Sequence, residues 1–248
     1  MTPGLTHARR AAGADAEALN LSLLSWAEGE LREALSPLGG RPYEIFGQGS
    51  RVNGTYIEQG SDIDLVLMLT APDVPWERFR DEVLAAMGES HVVRMGRRCL
   101  NVDDPGSLFG EMVDVLVATE YRRGPEQGVF FLDDEGRPIV NFPKQHRRNG
   151  DAKDLRTGGR FKQAVRTVKR LRPAGLAPSY LLECLLYNVP DHVYRTSYRD
   201  ALDWLSRCDR GDFAGMRCQN GINRLFGPGP DQWDAGDAGR IVGVLHQI

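Results

Sequence analysis

The stretch SDIDLVLML, residues 61–69, constrains the fold most. Its apolar run has the length of one strand, and a polar turn precedes it, so it reads as a buried strand. Side chains alternate across a strand. Asp62 and Asp64 therefore leave on one face, while Ile63, Leu65 and Leu67 enter the core on the other. Two carboxylates on one face repel each other, and desolvation adds a cost unless a cation neutralises them. For an isolated D-x-D a solvent-exposed strand start is the commoner explanation. An EF-hand is excluded, because LVLML follows where further oxygen ligands and a turn glycine are required.

A third carboxylate stands in EMVDVLVA. By the same alternation Asp114 shares a face with Met112 and Leu116, opposite Val113, Val115 and Val117. An aspartate inside an apolar strand is costly to bury, so it calls for a sheet rim and a partner, or for a cation. If the two strands are neighbours, Asp62, Asp64 and Asp114 converge. An all-oxygen, highly charged ligand set suits magnesium or manganese, which also bind phosphate oxygens.

The segment GSRVNGT, Gly49–Thr55, nearly matches a P-loop but has no lysine after Gly54. It also fails G-x-G-x-x-G, because Val52 occupies the last glycine position. What remains is a Gly-Ser turn opening a short helix. Its amides and the Ser50 hydroxyl can hold phosphate oxygens, although such a turn is often no more than a turn.

Charge is uneven along the chain. The 248 residues carry a formal net charge of only −3, which does not mark a general nucleic-acid binder. Residues 144–172 nevertheless hold eleven lysines and arginines against Asp151 and Asp154. At 100° per residue Phe161, Ala164, Val165, Val168 and Leu171 form one apolar face, and Lys162, Arg166 and Lys169 align beside it. That row is either a solvated basic face, a triphosphate clamp or an RNA surface. Ser179 falls where a helix N-cap is expected. Tyr180 or Tyr56 would stack on a base or sit in the core.

The pattern along the chain is a mixed α/β N-terminal half followed by a helical C-terminal half. The residues to about Ala14 read as flexible, and Asp15–Leu35 reads as a helix. YEIF is a strand, WERFRDEVLAAMG a helix, VRMGRRCLNV and EMVDVLVATEY strands separated by a DDPG turn, and GVFFLDDEGRPIVNF a hairpin. PKQHRRNGDAKDLRTGG reads as a polar loop. RFKQAVRTVKRLR, SYLLECLLYN and YRDALDWLSRC read as helices, and the glycine-rich end carries only a weak helical pattern. Cys99, Cys184, Cys208 and Cys218 lie far apart without C-x-x-C spacing, which argues against a disulfide framework or zinc site and for a reducing cytoplasm. The N-terminus lacks the apolar core of a secretory signal, and no apolar run reaches membrane-spanning length, so no membrane partner is expected.

Taken together, an apolar strand, Gly-Ser, eleven intervening residues, D-h-D-h on a second strand and a later h-D-h strand resemble the DNA polymerase β-like nucleotidyltransferase superfamily. Within it, GSRVNGT, SDIDLVL and VDVLVA look most like the CD-NTases. These are bacterial cyclic-oligonucleotide synthases of anti-phage systems, related to animal cyclic GMP–AMP synthase and the oligoadenylate synthases. The resemblance runs from about residue 15 to residue 210 and is strongest in the aspartate motif.

The resemblance implies an α/β (α+β) fold: a polymerase β-like lobe with a mixed sheet over 15–142, a helical lobe over 143–248, a cleft between them and an N-terminal helix bridging both. It implies that Gly49 and Ser50 contact a triphosphate, that Asp62, Asp64 and Asp114 bind two Mg2+ or Mn2+ ions, and that Asp114 activates the attacking hydroxyl. Lys169, and Ser179 at the start of the next helix, would reach the phosphates, with Lys162 in the same basic row. The substrates would be NTPs, ATP among them, and the product a cyclic or linear oligonucleotide. An RNA or protein activator and a monomer are further expectations. The alternatives are transfer to a protein, small-molecule or RNA acceptor, or a silent nucleotide-binding module. The chain is short for this family, which implies a trimmed C-terminal lobe, and it lacks the zinc-ribbon spacing of the animal DNA sensor.

Overall fold

The computed structural model describes residues 3–57, 62–102 and 107–247, with the backbone alone for 3–17 and for Glu111. Contacts divide the chain into two units, Met1–Gly47 with Asp62–Thr119, and Gln48–Ser61 with Glu120–Ile248.

Along the chain come α1 (Pro3–Ala34), β1 (Tyr43–Gln48), α2 (Gly49–Val52), β2 (Ile63–Leu69), α3 (Trp76–Met87), β3 (Val93–Met95), β4 (Leu100–Val102), α4 (Leu108–Met112) and β5 (Val113–Arg123). They are followed by β6 (Glu126–Leu132), β7 (Pro138–Asn141), α5 (Pro143–Arg156), α6 (Arg160–Leu171), α7 (Ser179–Asn188), α8 (Tyr198–Leu205), α9 (Arg210–Gly215) and α10 (Ala235–His246).

In the first unit the strand order is β1-β2-β5-β4-β3. The sheet is mixed: β2 and β5 run parallel, while β4 is antiparallel to both β3 and β5. Ile63, Leu65, Leu67, Val113, Val115 and Val117 are buried in one apolar cluster with Ala27 and Leu31 of α1 and Phe79 and Val83 of α3. The indole of Trp76 donates to Val117 O at 2.8 Å and ties α3 to β5.

Two expectations change here. Helix α1 begins at Pro3 rather than after Ala14. The segment ARRAAGADAEAL lacks an apolar stripe but is rich in alanine, the best helix former. VRMGRRCLNV is not one strand but the hairpin β3–β4, closed by Gly96 N donating to Cys99 O at 2.8 Å. The DDPG turn at 103–106 lies outside the described residues.

In the second unit β6 pairs with β5 and β7, and Asp133–Gly136 turns the expected β6–β7 hairpin. The helices enclose a core of Phe161, Val165, Val168, Leu181, Leu185, Phe213 and Ile241 among others. The predicted polar loop is helix α5. Pro143 at its first turn is pre-set for a helix start, and Gly158 and Gly159, at φ +62° and +84°, end it. No apolar stripe announces α5, because it packs through the buried polar residues Gln145, His146 and Lys153. On α6 the apolar face is as expected except that Leu171 is exposed and Lys169 is buried in its place. The glycine-rich end does form α10, capped by Asp234 accepting from Gly236 N and buried through Ala238, Ile241, Val242 and Leu245.

The four cysteines are free thiols. No described helix is long and apolar enough to cross a membrane.

Candidate active site

The carboxylates lie on the parallel pair β2–β5. Asp64 is the register partner of Asp114, between the pairs Ile63–Val113 and Leu65–Val115. Partnered residues in a parallel ladder share a face, so the two aspartates are side by side, opposite the buried valines and leucines. Asp62 is exposed immediately before β2. Burial, and then the Asp62 charge, push the Asp114 carboxyl above its usual range. The Cys99 thiol is pushed up to about 12 by burial, with Asp114 and Asp64 adding to the effect. With no cation bound beside it, it is therefore a protonated thiol at neutral pH.

Among the described residues no three His, Cys, Asp or Glu side chains are drawn close enough to hold a metal ion. Asp64 and Asp114 are thus a facing pair, and Asp62 is a third charge that Asp114 feels. The donor set still fits a hard divalent cation: every ligand is a carboxylate oxygen, and like-charge repulsion is the cost a cation would relieve.

Gly49 and Ser50 open α2 directly after β1. Gly49 has φ +70°, which a side chain disfavours. Gly49→Val should therefore strain the turn at a cost of about 1–3 kcal/mol, measured by urea unfolding. The turn is closed from behind. Asn53 N donates to Gly49 O at 3.0 Å, and Thr55 N donates to Ser50 O at 2.9 Å.

The basic row on α6 is not turned freely to solvent. Arg166 Nη1 donates to Gly54 O at 2.6 Å, and Lys169 Nζ donates to Thr55 O at 2.8 Å. Lys162 Nζ pairs with Asp151 at 2.5 Å, and a Cβ on Gly54 would lie 3.3 Å from the same nitrogen. The row therefore runs along the segment that follows Gly49–Ser50. Ser179 is the first residue of α7, one position inside the expected cap. Pro178 holds the cap position and makes no side-chain cap bond. Tyr180 lies between two rings, with His146 at 5.1 Å and Trp233 at 6.0 Å, so it belongs to the packing. Tyr56 carries the Arg51 guanidinium at 5.6 Å.

Two residues escaped the sequence reading. Glu183 on α7 is buried, and Thr55 Oγ1, Asn53 Nδ2 and His146 Nε2 contact its carboxylate at 2.5, 3.4 and 3.2 Å, with Lys169 Nζ at 3.5 Å. Burial alone would raise this carboxyl. His146, Lys169 and Thr55 outweigh it, and the net shift is downward. The signal was available: a lone glutamate in SYLLECLLYN is the helical counterpart of Asp114 in EMVDVLVA. His146 was hidden because its segment lacks apolar periodicity.

Comparison with known proteins agrees with this geometry. Residues 148–248 match the family described as the cGAS/DncV-like nucleotidyltransferase C-terminal helical domain. The chain is 34% identical to a cyclic UMP-AMP synthase of Rhodothermus marinus, over 84% of this chain and 85% of the relative. It is 32% identical to a cyclic dipyrimidine nucleotide synthase, CdnE, of Cecembia lonarensis, over 67% and 69%. The solved structure of the Rhodothermus marinus CdnE c-UMP-AMP synthase with Apcpp and Upnpp superposes with a TM-score of 0.73 at 30% identity, covering 90% of this chain and 89% of that one. The mixed sheet bearing the aspartates, the helical C-terminal part and these likenesses make one conclusion: the chain is a nucleotidyltransferase and belongs to the CD-NTase family.

Proposed function

We propose that the protein joins ATP and UTP into a cyclic dinucleotide and releases pyrophosphate. The in-register Asp64–Asp114 pair carries the chemistry of this reading. The choice of bases is supported by the likeness to the Rhodothermus marinus cyclic UMP-AMP synthase. In each of two steps a ribose hydroxyl gives up its proton to water and its oxygen bonds to an α-phosphorus. The bond from that phosphorus to the bridging oxygen breaks, and the β and γ phosphates leave together.

Asp62, Asp64 and Asp114 would hold Mg2+ or Mn2+, two ions in this reading. Bound cations there would supply positive charge to the hydroxyl and to the departing pyrophosphate. Asp114 orients and activates the attacking hydroxyl. Gly49 and Ser50 present backbone amides and a hydroxyl to the triphosphate. Lys162, Lys169 and Ser179 complete the phosphate-facing set, with Lys169 also bound to Thr55 O.

The lobe division at 142/143 is part of the proposal, and the family match beginning at residue 148 supports it. So is a cytoplasmic role in anti-phage signalling, with which four free thiols agree. The exposed Arg147 and Arg148 are where an acidic activator, RNA or protein, would dock on a monomer.

Incubation with ATP, UTP, CTP and GTP, singly and in pairs, with Mg2+ or Mn2+ followed by mass spectrometry tests the reading. Cyclic UMP-AMP from ATP plus UTP is expected. Products that form only with an added protein or RNA acceptor would replace it with acceptor transfer. NTP binding without turnover under either metal would replace it with a silent module.

A further inference from the structure

Thr55 is held at three atoms. Its amide closes the Gly49–Ser50 turn on Ser50 O, its carbonyl accepts from Lys169, and its hydroxyl donates to Glu183 at 2.5 Å. The neighbouring Asn53 amide also reaches Glu183, at 3.4 Å. Both carboxylate oxygens are used: Oε1 takes Thr55 and faces Lys169, and Oε2 takes Asn53 and His146. His146 is fixed in turn by its stack on Tyr180 and by Gln219 Nε2 donating to His146 O at 2.9 Å. A buried carboxylate is costly unless it is paired and bonded, and this one is both.

We propose that Glu183 is a positioning residue for nucleotide binding, fixing Asn53–Thr55 and through them the Gly49–Ser50 turn. This rests on the reading of Gly49 and Ser50 as the triphosphate contacts. Fixing the turn in advance removes an ordering cost that NTP would otherwise meet on binding. It also accounts for the basic row. Arg166 and Lys169 bind the carbonyls of Gly54 and Thr55, and Glu183 supplies the counter-charge that lets Lys169 stay buried. A residue serving only core stability would stabilise the helices around it. Among the described residues Glu183 instead puts three of its four contacts on the 53–55 segment and on the lysine that binds it.

The test uses Glu183→Gln, Thr55→Val and Thr55→Ser in the full chain. Two measurements are made: hydrogen exchange of peptides spanning 49–57 and spanning α6–α7, and KM and kcat for pyrophosphate release from NTPs. Glu183→Gln and Thr55→Val should speed exchange in 49–57 about tenfold, and that of α6–α7 distinctly less. They should raise KM roughly tenfold, more than they lower kcat. Thr55→Ser, which keeps the hydroxyl, should behave as the parent protein.

Parent-like exchange in 49–57 of both Glu183→Gln and Thr55→Val would overturn the proposal. So would exchange accelerated equally across α6–α7, which marks a general loss of stability, or a Thr55→Ser as impaired as Thr55→Val. If the parent protein turns over no NTP, the functional reading fails while the exchange data still decide the positioning role.

Discussion

Asp114→Asn should silence the enzyme and yet raise the melting temperature of the metal-free protein. On the proposed reading, loss of activity is expected because asparagine keeps the shape but removes the charge that would hold a cation. Removing one such electrostatic element costs about a hundred- to a thousandfold in turnover. The gain in stability follows from the sign of the shift. The Asp114 carboxyl is raised by burial and by Asp62, so its ionised form is disfavoured in the folded state. That penalty is absent below the ordinary carboxylate range and grows as pH rises through the raised value. Asparagine escapes it at neutral pH.

The site is partly open to water, so the gain is small, about a degree or two. Saturating Mg2+ should reverse the order. A cation at a hundred times its Kd stabilises the parent by about 2.7 kcal/mol, and the variant gains little. Differential scanning fluorimetry with EDTA and with Mg2+, beside a pyrophosphate assay, reads both effects. A variant that is less stable than the parent in EDTA, or fully active, would contradict this account of the pair.

The second large effect concerns α5. Lys153 is buried, donates to Val189 O and to Asp191 Oδ1, both at 2.7 Å, and lies 5.3–5.7 Å from the rings of Phe161, Tyr187 and Tyr194. Arg156 Nε donates to the other Asp191 oxygen at 2.5 Å. Burial lowers the pKa of Lys153, and the Asp191 pairing opposes this. Asp191→Ala strands the buried ammonium and should cost about 2–3 kcal/mol, a fall of roughly 5–10 °C in melting temperature. Lys153→Met removes the buried charge and leaves Asp191 with Arg156, so it should cost about 1 kcal/mol or less. Urea unfolding of the two variants gives the comparison. Equal losses would mean that the lost Lys153–Asp191 bond, and not a stranded charge, sets the cost.

Much of the first unit was legible in the chain. DIDLVLML and VDVLVA are apolar runs of strand length, which carries the strands, and the period of two along a strand carries the face of each aspartate. The hairpin at DDEG and the apolar face of α6 were legible for the same local reason. Helix α5 was not, since its buried side chains are polar and burial of polar groups follows no apolar period. The basic row was seen as a row, but its partners were not. The carbonyls of Gly54 and Thr55 lie more than a hundred residues away along the chain.

By itself the sequence determined which residues are chemically capable: Asp62 and Asp64 sharing one face by strand alternation, Asp114 alone in a second apolar strand, and a Gly-Ser turn before them. These are local properties, dictated by backbone sterics and side-chain period. Only the tertiary structure decided that Asp64 and Asp114 are register partners, that Leu171 is exposed while Lys169 is buried, and that Glu183 closes on Thr55. Pairing of strands and burial of charge depend on what the rest of the chain brings alongside. A buried ion is tolerable only where its partners arrive from other elements.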